Sequence, residues 1–328
     1  MQKKPSEVIE MKLKSASYGR LSHNAKCSRC RAKAIISLPS HHANFCEDCF
    51  LVFFHKAVNR AMKKFPIGLD TPIMVAVSGG KDSLALWDVL ADLGFTTKGI
   101  HIDLGIPNFS EASRSACEEF AKSRGLELSI YELKDLFGFS LPEIAKLKSS
   151  KVCSVCGTLK RQFLNRLALQ EGFSVIATGH NLDDEASRLL GNTLRHRDAY
   201  LQKAYPFLPA GPGLVARMKP LFRLESEEIR IYCRVRGIKY FGDKCPFARG
   251  ATSHILLEAL QFIESQMPGT KRDFLFGFLD RQTPPQFEDA LLGNCSVCGA
   301  LSYQDTCSVC RLKDELKRKK EFLKDRGH

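Results

Sequence analysis

The sequence predicts an α/β fold, a doubly wound parallel sheet flanked at its N- and C-terminal ends by small cysteine modules. Three observations carry that prediction. From Ile73 to His196 short apolar runs alternate with amphipathic stretches, the order required by a parallel sheet covered on both faces. Between the first run and its helix lies Ser78-Gly79-Gly80-Lys81-Asp82-Ser83, a turn with two glycines. Near each end of the chain four cysteines fall into two CxxC knuckles, the pattern of a four-thiolate metal site.

The elements follow in order. Residues 1–26 are polar, mixed in charge and aperiodic, and read as a flexible N-terminal arm. Cys27-x2-Cys30-x15-Cys46-x2-Cys49 forms the first module, and residues 50–65 read as an amphipathic helix attached to it. Pro66, Gly68 and Pro72 mark a boundary, which opens a domain over 66–285. There PIMVAV is the first strand, and DSLALWDVLADLG is a helix ending at Gly94. KGIHID is the second strand, before a helix capped by Ser110 and stopped at Gly125. LELSIYEL, the helix CGTLKRQFLNRLALQEG, FSVIAT and the helix DDEASRLLGNTLRH complete the alternation. Residues 197–223 break it with Gly and Pro. From Arg188 to Arg223 seven Lys/Arg stand against one acid, Asp198, with Tyr200, Tyr205, Phe207 and Phe222 interleaved. Helices resume at 225–236 and 251–266. Residues 286–328 hold Cys295-x2-Cys298-x8-Cys307-x2-Cys310 and a charged basic helix.

The hydrophobic fraction of 44% and charged fraction of 26% are ordinary for a globular chain. No apolar run is long enough to span a bilayer, and the N-terminus lacks a secretory apolar core. The expectation is a cytoplasmic protein without membrane contact. In that reducing compartment paired cysteines favour metal over disulfides, so each four-cysteine set is read as a structural Zn²⁺ site, two in all. His41 and His42 are available as substitute ligands, but four thiolates suffice. Cys117 and Cys233 read as core cysteines.

The glycine turn is built for phosphate. It opens a helix whose free N–H groups and dipole stabilise an anion, while Ser78, Ser83 and Lys81 add hydroxyls and a charge. It is not the G-x-x-x-x-G-K-[ST] loop of kinases and GTPases. In such a sheet ligands sit beyond the carboxyl ends of the strands. That places the backbones of Ala76, Ile102 and Gly179 to meet a nucleobase.

A second group of residues implies other chemistry. Cys153 and Cys156 begin a helix, and Lys160 shares their face with Phe163, Leu164 and Leu167, whereas Arg161, Gln162, Asn165 and Arg166 lie on the other side. A lysine pointing inward calls for an anion, and nucleotide phosphates would serve. Two cysteines need a third to hold a metal, and the candidate is Cys245. Three thiolates suit an iron–sulfur cluster with one iron left free, or equally a persulfide-bearing nucleophile with its resolving cysteine. Of Asp183 and Asp184, at a helix N-terminus, one reads as a cap and the other as a metal or substrate ligand. The formal charge is +13. Metal-bound thiolates would lower it to about +8, still basic enough to favour a nucleic-acid partner.

Taken in order, the first CxxC…CxxC, SGGKDS, HIDLGI, CSVCGTLKR, TGHNLDDEA, KPLFRL, CPFARGATS, PGTKRDFLFGFL and the last CxxC…CxxC resemble the TtuA family of tRNA 2-thiolation enzymes over roughly residues 27–312. This family is related to the cytoplasmic wobble-uridine thiolases. The resemblance implies a PP-loop fold (adenine nucleotide alpha hydrolase-like) with ATP and Mg²⁺ at residues 78–83, Asp82 included. It also implies a [4Fe-4S] cluster on Cys153, Cys156 and Cys245. The implied reaction adenylates a uridine C2 oxygen and replaces it with sulfur, with Lys160, Asp184 and Asp82 as catalytic residues. ARGATS and PGTK look more like the thiolases of the tRNA T-loop than those of the wobble position. A homodimer and a ubiquitin-like thiocarboxylate sulfur donor are further implications.

Overall fold

The computed structural model describes residues 21–148, 152–248, 252–285 and 293–325. Most of the expected flexible arm, and Arg249–Ala251 of the ARGATS stretch, lie outside the described residues.

The N-terminal module is a hairpin of β1 (Ile36–Leu38) and β2 (Ala43–Phe45) followed by α1 (Glu47–Met62). The sheet then begins with β3 (Ile73–Ala76), α2 (Lys81–Asp92), β4 (Thr97–Asp103), α3 (Phe109–Arg124) and β5 (Glu127–Glu132). Two short helices, α4 (Leu133–Phe137) and α5 (Leu141–Leu147), lead to the long α6 (Val152–Gln170), then β6 (Val175–Thr178), α7 (Leu182–Thr193) and α8 (Asp198–Leu201). Two strands, β7 (Phe207–Leu208) and β8 (Ala216–Met218), precede α9 (Ser226–Val235), α10 (Thr252–Gln266) and α11 (Thr270–Leu279). The C-terminal module pairs β9 (Gly293–Asn294) with β10 (Leu301–Ser302) and ends in α12 (Ser308–Asp325).

The central sheet has six strands in the order β5-β4-β3-β6-β8-β7, all pairs parallel except the edge pair β7–β8. Strand β3 is apolar along its length because both of its faces are covered. Ile73, Val75 and Val77 join a core with Leu84, Leu86 and Trp87 of α2, whereas Met74 joins Ile100, Ile176 and Phe163 on the other face.

Three expectations need correction. The Gly/Pro-rich stretch 197–223 does not leave the sheet but supplies β7 and β8. With two and three residues these strands are too short to show alternation, and pairing with β6 is what holds them. Ser110 does not cap α3. The N-cap position is Asn108, in a positive-φ conformation (61°), and the Ser110 hydroxyl accepts from the Ile106 N–H. The helix assigned to the first cysteine module shares its core with the sheet domain: Phe54 of α1 stacks on Tyr232 of α9, centroids 3.9 Å apart. The Tyr232 hydroxyl in turn donates to buried Asp88, which also receives Arg124 and Arg236.

Candidate active site

The strand order reverses at β3: the chain first builds outward to β4 and β5, then returns to lay β6 on the other side. A crevice opens between loops that leave in opposite directions, which is where such sheets bind ligands. Two loops meet there, residues 78–83 after β3 and 179–181 after β6.

Gly79 has a φ of 74°, and a Cβ there would lie 2.4 Å from the Ser113 carbonyl oxygen. Its own carbonyl accepts from the Phe241 N–H at 2.8 Å. Ser83 knits the turn: its hydroxyl accepts from the Ser78 N–H and donates to the Gly80 carbonyl, each at 3.0 Å. Gly80 occupies the N-cap of α2 with no side-chain cap, which leaves the first N–H groups of that helix free for an anion. Lys81 reaches both oxygens of Asp82 at 2.7 Å, and Asn181 donates to Asp82 at 3.0 Å across the crevice. Gly179 permits that approach, because a Cβ there would stand 2.8 Å from the Asp82 carbonyl carbon. The Gly79→Ala variant is therefore expected to lose ATP binding by more than about tenfold, since a clash and a left-handed strain of roughly 1–3 kcal/mol fall on the loop itself. Isothermal titration with a non-hydrolysable ATP analogue measures it.

Ala76 ends β3 beside this loop and is registered on Ile100 of β4, whereas Ile102, expected to end the second strand, stands one residue before its end at Asp103. Its neighbour His101, which sequence reasoning did not single out, points its Nδ1 at the Val77 carbonyl at 3.0 Å. Burial holds that imidazole below its usual range.

Helix α6 sets out the cysteines. Cys153 is exposed, Cys156 and Lys160 are half-buried, and Leu159, Phe163 and Leu167 are buried in the core. Asn165, expected on the solvent side, is buried instead: its amide donates to the Gly213 carbonyl and accepts from the Val215 N–H. It serves the backbone leading into β8, a need only the tertiary fold creates. Cys245 arrives from the segment after α9, and the Cys153 Sγ lies 3.1 Å from the Phe247 carbonyl of that segment. Burial pushes the Cys156 thiol up, Lys160 pulls it down, and Cys245 and Cys153 push it up again. The four side chains thus share one electrostatic site. The charge of Lys160 also contributes to holding the His101 imidazole low. The three sulfurs are not gathered as tightly as ligands of one ion: among the described residues the sets within 4.8 Å of one another are the two four-cysteine modules. The donor set of three thiolates suits an iron–sulfur cluster.

At the start of α7, Asn181 is the N-cap, and it forms a capping box with Asp184, each side chain bonding the other's N–H at 3.1 Å. Asp183 is the buried one: it receives Lys271 at 2.7 Å and the Ser226 N–H at 2.7 Å. The expected division into one cap and one ligand is thus altered, since Asp184 both caps and opens to the crevice while Asp183 is paired inside. Although solvent reaches Asp184, the surrounding walls strip much of its hydration and push its carboxyl up to about 6, with Asp82 and Glu185 adding repulsion and the Asn181 N–H opposing. A carboxyl raised in the fold destabilises it as pH rises from the unfolded value of 3.8 through about 6. Asp184→Asn is therefore expected to raise the melting temperature at neutral pH, with the gain vanishing below about pH 4. Thermal melts across pH check the sign. His180, 2.9 Å from the Thr178 hydroxyl, is pushed down to about 4 by burial and then by Lys219.

Part of the basic stretch 188–223 is spent internally. Lys219 is buried on Glu185 at 2.8 Å, and Arg188 pairs with the same carboxylate. Asn181, Lys219 and Lys271 were missed by sequence reasoning because their partners lie from 34 to 99 residues away.

In each module the four cysteine sulfurs lie within 4.8 Å of one another. Cys30 and Cys46 approach to 3.6 Å, and Cys298 and Cys307 to 3.7 Å. A tetrahedral ion with bonds of about 2.3 Å spaces its sulfurs by about 3.8 Å, so both sets fit a single closed-shell ion. His41 takes no part, its Nε2 lying 2.7 Å from Glu228. The C-terminal module packs beneath α6: Gln162 lies 3.6 Å from the Cys307 Sγ, and Cys295, Cys307 and Cys310 share a core with Leu159 and Phe163. No described helix is long and apolar enough to cross a membrane.

Comparison with known proteins gives a consistent picture. Residues 50–248 match the PP-loop domain family, and residues 26–51 match the N-terminal LIM domain of 2-thiouridine synthetase TtuA. A tRNA-5-methyluridine(54) 2-sulfurtransferase from Thermus thermophilus is 43% identical over 89% of this chain and 92% of its own. A protein of the same name from Thermotoga maritima is 36% identical over 90% and 98%. Among solved structures, the U34-tRNA thiolase NcsA from Methanococcus maripaludis with its [4Fe-4S] cluster superposes with a TM-score of 0.76 at 26% identity, over 89% of this chain and 96% of that one.

Proposed function

Because this chain belongs to the TtuA family of PP-loop tRNA 2-thiolation enzymes, we propose that it is an ATP-dependent tRNA 2-sulfurtransferase acting on the 5-methyluridine of the T-loop. The observation that carries the chemistry is the segment after α9, which donates the Phe241 N–H to Gly79 of the phosphate loop and sets the Phe247 carbonyl against Cys153. In this reading adenylation and sulfur delivery share one crevice. The relatives named for position 54 are 43% and 36% identical, against 26% for the wobble thiolase, which favours the T-loop uridine over U34.

In this reading the loop 78–83 holds the ATP phosphates through the N–H groups of α2, Ser78, Ser83 and Lys81. The backbones of Ala76, Ile102 and Gly179 frame the adenine. The uridine O2 attacks the α-phosphorus, an O–P bond forms and pyrophosphate leaves. Lys160 stabilises the charge that builds on the phosphate oxygens. Asp82 and Asp184, the latter ionised above about pH 6, would hold Mg²⁺. Sulfur at the sulfide level then attacks C2, a C–S bond forms, the C–O bond breaks and AMP leaves, with no net redox change. Cys153, Cys156 and Cys245 would hold a [4Fe-4S] cluster, which would supply an iron without a protein ligand as a place to keep that sulfur. Two Zn²⁺ ions in the modules are structural, since four thiolates leave no open position. A ubiquitin-like thiocarboxylate protein as donor, a homodimer and a cytoplasmic location complete the proposal.

The test is mass spectrometry of tRNA nucleosides from a strain lacking the gene. Loss of 2-thio-5-methyluridine that returns with the gene supports the proposal. Loss of 2-thiouridine at the wobble position instead moves the target, and an unchanged profile removes the thiolase reading.

A further inference from the structure

Away from the crevice, the first cysteine module, α1 and the start of α11 enclose a pocket of about 260 Å³. Arg29, Lys56, Arg60, Arg223 and Arg272 line it together with His41, and no carboxylate does. Among the described residues none of these five cations forms an ion pair. Such convergence is costly without a counter-charge. A four-thiolate zinc centre of charge about −2 beside Cys49, which also lines the pocket, would offset only part of it.

The inner wall is held rigidly. The Arg223 guanidinium lies 4.5 Å from the centroid of Phe276 and 5.7 Å from that of Phe222, and Arg272 lies 5.7 Å from Phe276. Stacking fixes the planes of the guanidinium groups and leaves their N–H edges to meet an acceptor. Arg272 has a buried Nε with no hydrogen-bond partner. Its Nη2 lies 2.7 Å from the His41 Nε2, which lies equally close to Glu228. One ring nitrogen cannot accept from Arg272 and donate to Glu228 at once, so a donor or an acceptor is left over here. Burial, then the charges of Arg272 and Arg60, hold the Arg223 guanidinium below its usual range. An anion in the pocket would accept from the spare Arg272 donor and offset the crowded guanidinium charges.

We propose that this pocket binds a phosphodiester of the tRNA backbone, which docks the substrate on the N-terminal module at a distance from the phosphate loop. This deepens the thiolase reading and rests on it. Exposed Arg29, Lys56 and Arg60 form the rim, with Lys56 and Arg60 one helical turn apart on α1, and half-buried Arg223 and Arg272 form the floor. The volume leaves room beyond a phosphate for its attached sugar, against Phe45 and Phe53. Neighbouring residues divide the work: Lys271 clamps Asp183 at the start of α7, while Arg272 faces the pocket.

The experiment measures binding of an unmodified tRNA transcript to the metal-loaded full chain over a range of salt. The variants are Lys56→Gln/Arg60→Gln, which alters only exposed side chains, and Arg223→Gln. Each is expected to weaken tRNA binding about tenfold and to reduce the salt slope by roughly one per lost phosphate contact, with ATP affinity unchanged. Wild-type affinity and slope in both, with tRNA thiolation intact, overturn the pocket while leaving the thiolase reading standing. Failure of the wild type to bind or thiolate tRNA overturns that reading instead. Inorganic phosphate is the second probe: if it binds in the millimolar range, is lost in Arg223→Gln, and tRNA affinity does not change, the pocket takes a free anion and the tRNA assignment is wrong.

Discussion

Cys245→Ala is expected to abolish both the visible absorption of an iron–sulfur cluster and tRNA thiolation, while ATP affinity stays within about twofold of wild type. The reason is geometric. Cys153 and Cys156 sit one turn apart on α6, and the segment that brings Phe247 against Cys153 carries Cys245, the thiolate proposed as the third ligand. A cluster left with two protein ligands has no third corner to hold it. The phosphate loop, by contrast, is knit chiefly by Ser83, which bonds Ser78 and Gly80, and its bond to the segment of Cys245 is a backbone bond from Phe241 that the substitution leaves in place, so nucleotide binding survives. The measurement is anaerobic purification followed by absorbance, iron content and a thiolation assay. Retained colour in the variant would place the third ligand elsewhere, and a colourless wild type with full activity would replace the cluster with a persulfide mechanism.

Lys160→Met is expected to lower kcat by roughly 10²–10³, the usual effect of losing a charge aimed at developing phosphate oxygens. Its effect on ATP affinity should be small, because Lys81 and the N–H groups at the start of α2 remain. Among the described residues Lys160 makes no ion pair. A half-buried cation without a partner costs stability, so the methionine variant should melt at a higher temperature while keeping the cluster spectrum. Slower turnover with raised stability and an intact spectrum separates a catalytic role from a structural one. A variant that loses the spectrum as well would make Lys160 a support for the cysteines instead.

The C-terminal module acts on the same helix. Gln162 lies against Cys307, and Lys148, just ahead of α6, pairs with Glu315 of α12 at 2.9 Å. The second cysteine module therefore braces the helix that carries Cys153, Cys156 and Lys160. This accounts for its place in a chain whose phosphate loop lies more than two hundred residues earlier.

The legible features were those whose signal is local. A buried strand, a glycine turn and a helix start occupy eighteen consecutive residues around 73–90, and each CxxC knuckle closes within four. Periodicity exposed β3 to β6 and the face of α6 for the same reason, since hydrogen bonding and side-chain direction repeat over a few residues. The illegible features depended on distant partners. Strands β7 and β8 exist because β6 offers an edge. Asn165 is buried because the backbone near Gly213 and Val215 needs its amide. Asp183 and Asp184 look alike in sequence, and only Lys271, 88 residues away from Asp183, decides which turns inward.

By itself, then, the sequence determined the parallel α/β architecture, the phosphate loop and the two four-thiolate modules, because each is encoded in contiguous residues whose chemistry admits few alternatives. Tertiary structure alone decided that the strand order reverses at β3, that the segment of Phe247 lies against Cys153, and that five cations converge where no carboxylate lines the pocket. Those are encounters between segments far apart in the chain, and chain folding sets them through the burial of two cores rather than through any local preference.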